Sequence, residues 1–326
     1  MAMFDLSREE LADYRPDLPR PADLERFWAD TLAQSRSAGV PARFEPVDTP
    51  LALVEVVDVT FSGFGGDPVR GWLHLPAGAR APLPAVVRFL GYTAGRGLPH
   101  EVSFWVLAGY ACLVVDTRGQ GTGSTVGDTA DPAGSGPGSP GFMTRGILSP
   151  LTYYYRRVFT DAVLAVDAVR CHPAVDPDRV AVTGVSQGGG MTIAAAALAQ
   201  GLVGAMPDVP YLCHFRRATQ ITDEMPYAEI TQYLKAHRDH VEQVFETLGY
   251  FDCAVLAGMA TAPALFSVAL MDLVCPPSTV YAAYNAYGDR TPGTEKSIMV
   301  YEYNEHEGGQ GFHQAEQLAW LAARLG

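Results

Sequence analysis

One serine in the chain stands in a pattern that suits nucleophilic chemistry. Residues 184–188 read G-V-S-Q-G, and a short apolar run at 179–185 is typical of a buried strand. The small-residue segment 191–200 follows and is typical of a helix. A strand, a tight corner and a helix in this order present a serine hydroxyl at the strand end, and flanking glycines leave steric room for the corner. The pattern predicts that Ser186 is a nucleophile.

Two alternatives compete for the glycine-rich segments. A plain turn would explain residues 182–190, but a phosphate-binding P-loop would need a Gly-Lys-Ser or Gly-Lys-Thr sequence that this segment lacks. Residues 118–124 read R-G-Q-G-T-G-S and follow a predicted strand, as a dinucleotide-binding loop would. They lead into a Gly/Pro-rich loop rather than a helix, which disfavours a nucleotide site.

A serine nucleophile needs a base, and the base needs a carboxylate to orient it. With a G-x-S-x-G serine these partners follow in the order acid, then histidine. His306 comes three residues after the last predicted strand, whereas His313 falls in the closing helix pattern and is predicted to be a surface residue. Asp272 ends a buried apolar run and is the first candidate for the carboxylate. The alternative for Asp272 is a capping or turn role, and Asp289 is the weaker candidate for the acid. We therefore expect the triad Ser186, Asp272 and His306.

An oxyanion that forms during acyl transfer needs backbone N–H donors. One comes from the residue after the nucleophile, here Gln187, and the other from the loop after an earlier strand. Tyr92 follows the apolar run at 85–90 and is the natural second donor. The sequence gives this role to the two N–H groups rather than to the Gln187 side chain.

No metal or cofactor site is predicted. His306 is followed four residues later by Gln310, so the two-histidine zinc helix is absent. The five cysteines are scattered, odd in number and form no C-x-x-C pair, which favours reduced packing residues.

Composition narrows the class of protein. The 326 residues are 48% hydrophobic, enough for a sizeable core, and the net charge of −13 argues against nucleic acid and anionic membranes as partners. No apolar run approaches the roughly 18 residues of a membrane span. The first ten residues lack the basic and then apolar pattern of a signal peptide, so a cytoplasmic setting is expected.

Strand and helix patterns alternate along the chain, which predicts one α/β domain over 1–326 with a mainly parallel sheet flanked by helices. A hairpin-like β-rich extension opens it, a helical insertion occupies 222–249, and 127–141 is a Gly/Pro-rich surface loop. The predicted strands are 51–61, 69–75, 85–90, 111–116, 179–185, 202–209, 264–270 and 297–303. The predicted helices are 21–35, 100–108, 157–170, 191–200 and 312–325.

Taken together, the motifs resemble one known family. The chain is similar to the acetyl xylan esterase and cephalosporin C deacetylase group, the seventh carbohydrate esterase family of the α/β-hydrolase superfamily, over essentially its whole length. The segments that carry the resemblance are F-D-L at 4–6, Y-R-P at 14–16, R-G-Q-G at 118–121, G-V-S-Q-G-G at 184–189, L-C-H-F-R-R at 212–217, M-D-L-V-C-P-P-S-T at 271–279 and H-E at 306–307.

The resemblance implies an α/β-hydrolase fold and a serine esterase without metal or cofactor. Its substrates would be small acetylated sugars, such as xylose and xylo-oligosaccharide acetates, and cephalosporin C. It also implies a homo-hexamer whose sites face an internal cavity, and a small acyl pocket near Tyr92, Tyr211 and Pro226. The chain departs from the family pattern in loop 127–141 and in Tyr211, where a phenylalanine is expected.

Two further hypotheses stay open on the residues alone. A peptidase or longer-chain carboxylesterase would use the same triad. In the esterase itself, peroxide in place of water would add a side reaction that yields peracetate. A non-catalytic hydrolase-like scaffold belongs to another class, and such proteins usually lack a member of the triad.

Overall fold

The central element of the fold is one nine-stranded sheet. The computed structural model describes residues 3–79, 82–133 and 141–325. Within them the strands are Arg43–Val47 (β1), Val54–Ser62 (β2), Pro68–Pro76 (β3), Leu83–Phe89 (β4), Ala111–Val115 (β5), Val175–Val185 (β6), Gly204–Asp208 (β7), Ala264–Ala269 (β8) and Lys296–Tyr301 (β9).

The order of the strands brings the predicted site residues to one edge. The sheet runs β1-β2-β3-β5-β4-β6-β7-β8-β9, with antiparallel pairs from β1 to β5 and parallel pairs from β5 to β9. The carboxyl ends of parallel strands share one edge, and ligands of such sheets bind there. β4, β6, β7, β8 and β9 all end at this edge.

Helices cover both faces of the sheet. They are Arg8–Ala12 (α1), Leu24–Ala38 (α2), Phe104–Leu107 (α3), Tyr154–Arg170 (α4), Gln187–Leu198 (α5), Phe215–Ile221 (α6), Ala228–Ala236 (α7), Val241–Leu248 (α8), Cys253–Leu256 (α9), Pro277–Ala286 (α10) and Gln310–Leu325 (α11). Among the described residues, none of these helices has the length and apolar character that crossing a bilayer requires.

Alternation along the strands produces two cores. Val87 of β4 and Val182 of β6 point to the face that α2, α4, α5 and α10 cover. Their neighbours Val86 and Ala181 point to the other face, where they pack with Trp105 of α3 and helix α11. Strands buried on both faces read as continuous apolar runs because successive side chains point to opposite sides.

The α/β-hydrolase architecture agrees with the sequence prediction, and the differences lie at exposed edges. Strand β1 was not predicted, because its side chains are only exposed or half-buried and show no apolar alternation. The crossover helix predicted at 100–108 is limited to Phe104–Leu107. Helices α7 and α8 lie within 222–249, and α6 and α9 extend the helical region on both sides. Of the predicted loop 127–141, residues 134–140 lie outside the described residues.

Candidate active site

Ser186 lies at a strained corner between β6 and α5. Its backbone has φ 59° and ψ −119°, which is unusual for a residue with a side chain. Added Cβ atoms at Gly184 and Gly188 would lie 2.5 Å from the Gly188 carbonyl carbon and from the Phe89 carbonyl oxygen, respectively. Only glycine fits this close approach of strand, corner and helix. The Ser186 N–H donates to the carbonyl of Asp208 at 3.0 Å, which fixes the corner against β7.

The three residues predicted as a triad form one hydrogen-bonded line. His306 Nε2 is 3.0 Å from Ser186 Oγ, and His306 Nδ1 is 2.9 Å from Asp272 Oδ2. Asp272 is fully buried, and its Oδ1 accepts the backbone N–H groups of Val274 and Cys275, each at 2.8 Å. The carboxylate is thereby fixed with one oxygen towards the imidazole. Such a line can take a proton from the serine hydroxyl and stabilise the imidazolium that results.

The loop after β9 holds His306 through its own polar contacts. Glu307 accepts the Asn304 amide at 2.9 Å and the Glu305 N–H at 3.1 Å, and these bonds lower the pKa of its carboxyl group. The Met271 N–H donates to the Asn304 carbonyl at 3.1 Å, which joins the loop to the turn that carries Asp272. The second residue of the H-E motif therefore shapes the loop.

The surface location expected for His313 is wrong. The residue is fully buried, its Nδ1 lies 3.1 Å from the Tyr301 hydroxyl, and burial lowers its pKa. The turns of α11 are rotated so that His313 faces the sheet, while the adjacent Phe312 is 84% exposed.

Asp208 is a second buried carboxylate at this edge that the sequence analysis missed. It ends β7 and accepts a hydrogen bond from the Ser267 hydroxyl, and burial raises its pKa. His306 and His313 both lie near enough to favour its charged form electrostatically. Its signal in the sequence is the same as that of Asp272, an acid that closes a buried apolar run.

The residue that carries the first predicted oxyanion donor is bonded to the segment that carries the second. Gln187 begins α5, and the first N–H groups of a helix have no partner within it. The Gln187 amide Nε2 donates to the carbonyls of Leu90 and Gly91 at 3.3 and 3.4 Å, so it holds the segment that leads to Tyr92. The Gln187 side chain therefore holds the segment that leads to the second predicted donor.

Gln120 of the R-G-Q-G motif supports the same loop. Its Nε2 donates to Gln187 Oε1 at 2.9 Å, and its Oε1 accepts the Thr93 N–H at 2.6 Å. Tyr155 also donates to Gln187 Oε1 at 2.9 Å. Both glutamines are buried, so this motif packs beneath the corner of Ser186 instead of forming an open nucleotide loop.

Arg118 of the same motif anchors the segment in a buried ion-pair cluster. Its guanidinium contacts both Asp161 oxygens at 2.6 and 2.8 Å and Asp67 at 3.0 Å. Arg157 contacts both oxygens of Asp131, at the start of the Gly/Pro-rich loop, at 2.7 Å. The cluster ties this loop to α4.

Three further residues of the sequence analysis are Tyr211 and Pro226, expected near the acyl pocket, and Asp289, the weaker candidate for the acid. Tyr211 is fully buried with its ring centroid 4.2 Å from that of Tyr227, and its N–H donates to the Ser186 carbonyl at 2.9 Å. Pro226 is buried and follows a cis peptide bond. Asp289, the weaker acid candidate, instead pairs with Arg15 at 2.8 Å, so the structure brings Asp272 and not Asp289 to His306.

Cys275 lies against the same site. All five cysteines are free, and Cys171 is the one that is exposed. The Sγ of Cys275, a carboxylate oxygen of Asp272 and a ring nitrogen of His306 lie within 4.8 Å of one another. Burial raises the pKa of the Cys275 thiol well above its usual value, and the charge of Asp272 raises it further. The group beside the serine is therefore a neutral thiol.

A separate cavity of about 820 Å³ lies away from this edge, between residues 17–21 and helix α8. His214 lines it, with φ 46°, and burial lowers the pKa of this histidine to about 4. None of the predicted site residues line this cavity.

The chain matches a family model over almost its whole length. Residues 1–324 match the model of acetyl xylan esterase (AXE1). Among curated proteins, the acetyl esterase Axe7A of Xylanibacter ruminicola is 23% identical over 305 residues. That alignment covers 90% of this chain and 65% of the relative, so the chain spans less than two thirds of that protein.

Solved structures agree with this assignment. The acetyl xylan esterase from Paenibacillus sp. R4 is 38% identical with a TM-score of 0.91, covering 98% of this chain and 100% of that one. Acetyl xylan esterase 1 from Thermoanaerobacterium sp. JW/SL YS485 is 31% identical with a TM-score of 0.89, covering 98% and 99%. The acylaminoacyl peptidase of Pyrococcus horikoshii, at 15% identity and a TM-score of 0.57 over 84% of this chain and 41% of that one, shares the fold alone. The chain therefore belongs to the acetyl xylan esterase family and is a carboxylic ester hydrolase with the α/β-hydrolase fold.

Proposed function

We propose that this protein removes acetyl groups from small acetylated sugars by two-step acyl transfer at Ser186. The observation that carries the proposal is the line of hydrogen bonds from Ser186 Oγ through His306 to Asp272, at 3.0 and 2.9 Å. Ser186 attacks the acetyl carbonyl while His306 takes its proton, and Asp272 orients the imidazole. His306 then returns the proton to the departing sugar oxygen. Water, activated by the same histidine, releases acetate and frees the serine.

The negative charge of the tetrahedral intermediate is stabilised by the N–H groups of Gln187 and Tyr92. Support comes from the hydrogen bonds of the Gln187 amide to the carbonyls of Leu90 and Gly91, which join the two segments that carry the proposed donors. A donor of this kind typically contributes about 100- to 1,000-fold in rate. The positions are set before substrate arrives, so little reorganisation is needed during the reaction.

The acyl pocket is formed by Tyr92, Tyr211 and Pro226, and it accepts a short acyl chain. Substrates of this class are xylose and xylo-oligosaccharide acetates and cephalosporin C, which share an acetyl ester. Peroxide in place of water would attack the acetyl-enzyme and give peracetate as a side product. The mechanism uses no metal or cofactor.

A homo-hexamer with its sites facing an internal cavity completes the proposal, and the cytoplasmic setting likewise stays a prediction. Such an assembly would admit short oligosaccharides and exclude polymeric xylan. Sedimentation velocity tests the assembly, and acetate release from xylo-oligosaccharide acetates of increasing length tests the enclosure. Efficient release from polymeric xylan would contradict it.

The test of the chemistry compares Ser186→Ala with Ser37→Ala, a surface serine of α2, on a small acetylated xylo-oligosaccharide. We expect Ser37→Ala to retain wild-type acetate release and Ser186→Ala to lose nearly all of it. More than a few per cent of turnover in Ser186→Ala would refute the mechanism. A series of acetyl, butyryl and octanoyl esters and an aminoacyl amide, measured on the wild type, separates a deacetylase from a longer-chain esterase or a peptidase.

A further inference from the structure

Helix α7 carries one buried carboxylate that contacts a residue of the proposed acyl pocket. Glu229 lies in the first turn of α7 and is 4% exposed. Its Oε1 accepts the Tyr92 hydroxyl at 2.6 Å, and its Oε2 accepts the Met143 N–H at 3.0 Å. Tyr92 follows β4, and Met143 comes just after the Gly/Pro-rich loop. One side chain therefore joins three segments that are far apart in the sequence.

The Tyr92 hydroxyl closes this set of contacts. While it donates to Glu229, it accepts the Phe142 N–H at 2.6 Å. The Tyr92 and Phe142 rings pack edge to face with their centroids 5.7 Å apart. Gly141 has φ 101°, and a Cβ on it would lie 2.0 Å from Glu229 Oε1. The backbone at this point is shaped around the carboxylate.

Hydrogen bonds, and not an ion pair, hold the Glu229 carboxylate. Its partners in the described part of the chain are the Tyr92 hydroxyl and the Met143 N–H, and the charge of Arg145 also acts on it. Burial raises the pKa of Glu229. A buried carboxylate without a cationic partner opposes folding unless its hydrogen bonds compensate. Its placement is therefore better explained by what it holds than by a gain in stability.

We propose that Glu229 is a positioning residue that sets the acyl-chain selectivity of the site, by fixing the Tyr92 ring and residues 141–143 as one wall of the acyl pocket. This inference rests on the proposed function, in which Tyr92 lines that pocket. Rotatable bonds join the Tyr92 ring to the backbone. The hydrogen bond from the Tyr92 hydroxyl to Glu229 holds the far end of the ring in place. Without that anchor the wall can retreat and admit a longer acyl chain.

The expected effect follows from the energy of excluding methylene groups. One methylene in a pocket is typically worth about 10- to 200-fold in discrimination. Glu229→Ala removes both hydrogen bonds of the carboxylate, and Tyr92→Phe removes the shared one while keeping the ring and the backbone N–H. We expect each change to lower the acetyl-to-butyryl ratio of kcat/KM by about tenfold or more.

A double-mutant cycle on that ratio tests the inference. If Glu229 acts through the Tyr92 hydroxyl, the double variant will have a ratio close to that of Glu229→Ala alone, since neighbours in one network are not additive. The control is Glu242→Gln on α8, whose carboxylate pairs with Arg216 at the surface and should leave the ratio unchanged. Should Glu229→Ala fail to fold, Tyr92→Phe carries the test alone.

An unchanged ratio in Tyr92→Phe, or multiplicative effects in the cycle, would overturn the inference. This failure is distinguishable from failure of the proposed function. If only the inference fails, Ser186→Ala still abolishes acetate release, and Tyr92→Phe keeps the wild-type acetyl-to-butyryl ratio. If the proposed function fails, Ser186→Ala itself retains turnover.

Discussion

Two sets of hydrogen bonds meet at the carboxyl edge of the sheet, and they hold different parts of the molecule in place. The first runs through side chains in a line, from Ser186 to His306 to Asp272, each carried just beyond a strand end. The second, formed by Gln120, Gln187, Tyr92 and Glu229, includes bonds from side chains to the backbone of loops. Strand ends place the reacting groups, whereas the second set fixes the loop after β4 and the segment around Met143.

The two sets also differ in their contact with solvent. We call the first set, from Ser186 through His306 to Asp272, the reacting line. Its His306 side chain is 33% exposed, so the reacting line opens to the surface where substrate arrives. Both glutamines and Glu229 of the second set are buried. A change of His306 therefore removes chemistry with little cost to the fold. A change in the second leaves buried polar groups without partners and alters both geometry and stability.

The largest effect is expected where the reacting line is broken without changing its shape. In Asp272→Asn the amide cannot hold the imidazole in the tautomer that accepts the serine proton, so kcat should fall by roughly 10⁴-fold. The matched control is Asp289→Asn, an acid at the surface that pairs with Arg15 and should leave kcat unchanged. Acetate release under saturating substrate measures both. A loss below tenfold in Asp272→Asn would show that the carboxylate is not the orienting group.

A smaller effect is expected from the second set. Gln120→Ala removes the partner of the Thr93 N–H and one of the two donors to Gln187 Oε1, and a polar group left unsatisfied costs about 1–3 kcal/mol. If part of that cost shifts the oxyanion donors, kcat/KM should fall about 10- to 100-fold, since each 1.4 kcal/mol is tenfold.

Gln232→Ala, at an exposed position of α7, is the control for Gln120→Ala. Steady-state kinetics and thermal unfolding of both variants separate the effects on rate and on stability. A Gln120→Ala protein with a lower melting temperature and an unchanged rate would show that this set supports the fold and not the site.

The smallest effect on activity is expected outside both sets, at His214. Burial lowers its pKa from 6.5 to about 4, so the unfolded chain binds a proton below pH 6.5 while the folded protein does not. Stability is therefore lost as the pH falls from about 7 to 4. The loss is about 2 kcal/mol, because solvent that reaches part of the ring screens the charge and reduces the roughly 3 kcal/mol that the full pKa shift would give. His214→Asn, which tolerates φ 46°, should lack this part of the loss at unchanged acetyl-to-butyryl selectivity.

Urea unfolding of wild type and His214→Asn across this pH range measures the difference. Parallel curves for the two proteins would contradict the assignment of the loss to His214. A change in selectivity would show that the remote cavity and the acyl pocket are linked.

The sequence predicts the sheet and the reacting line because both rest on local patterns. Continuous apolar runs identify the buried strands, and an acid or a histidine just after a run identifies a residue at the sheet edge. Residues 184–188 are explained by contacts within the corner itself and with the neighbouring strand β4.

The second set is invisible in the sequence because its bonds join residues that are far apart. Tyr92 and Glu229 are separated by 137 positions, and Gln120 and Gln187 by 67. No local period marks such pairs. His313 shows a related limit: the rotation of α11 that buries it and exposes Phe312 is fixed by packing on the sheet and not by apolar character.

Covalent labelling is the sharpest test of whether Ser186 carries the acyl group. The protein is treated with an organophosphonate that reacts with activated serines, and the labelled peptide is identified by mass spectrometry. We expect a single label on Ser186, absent from Ser186→Ala and retained in Ser37→Ala. A protein that hydrolyses acetyl esters but carries its label on another residue, or no label at all, would show that Ser186 is not the nucleophile.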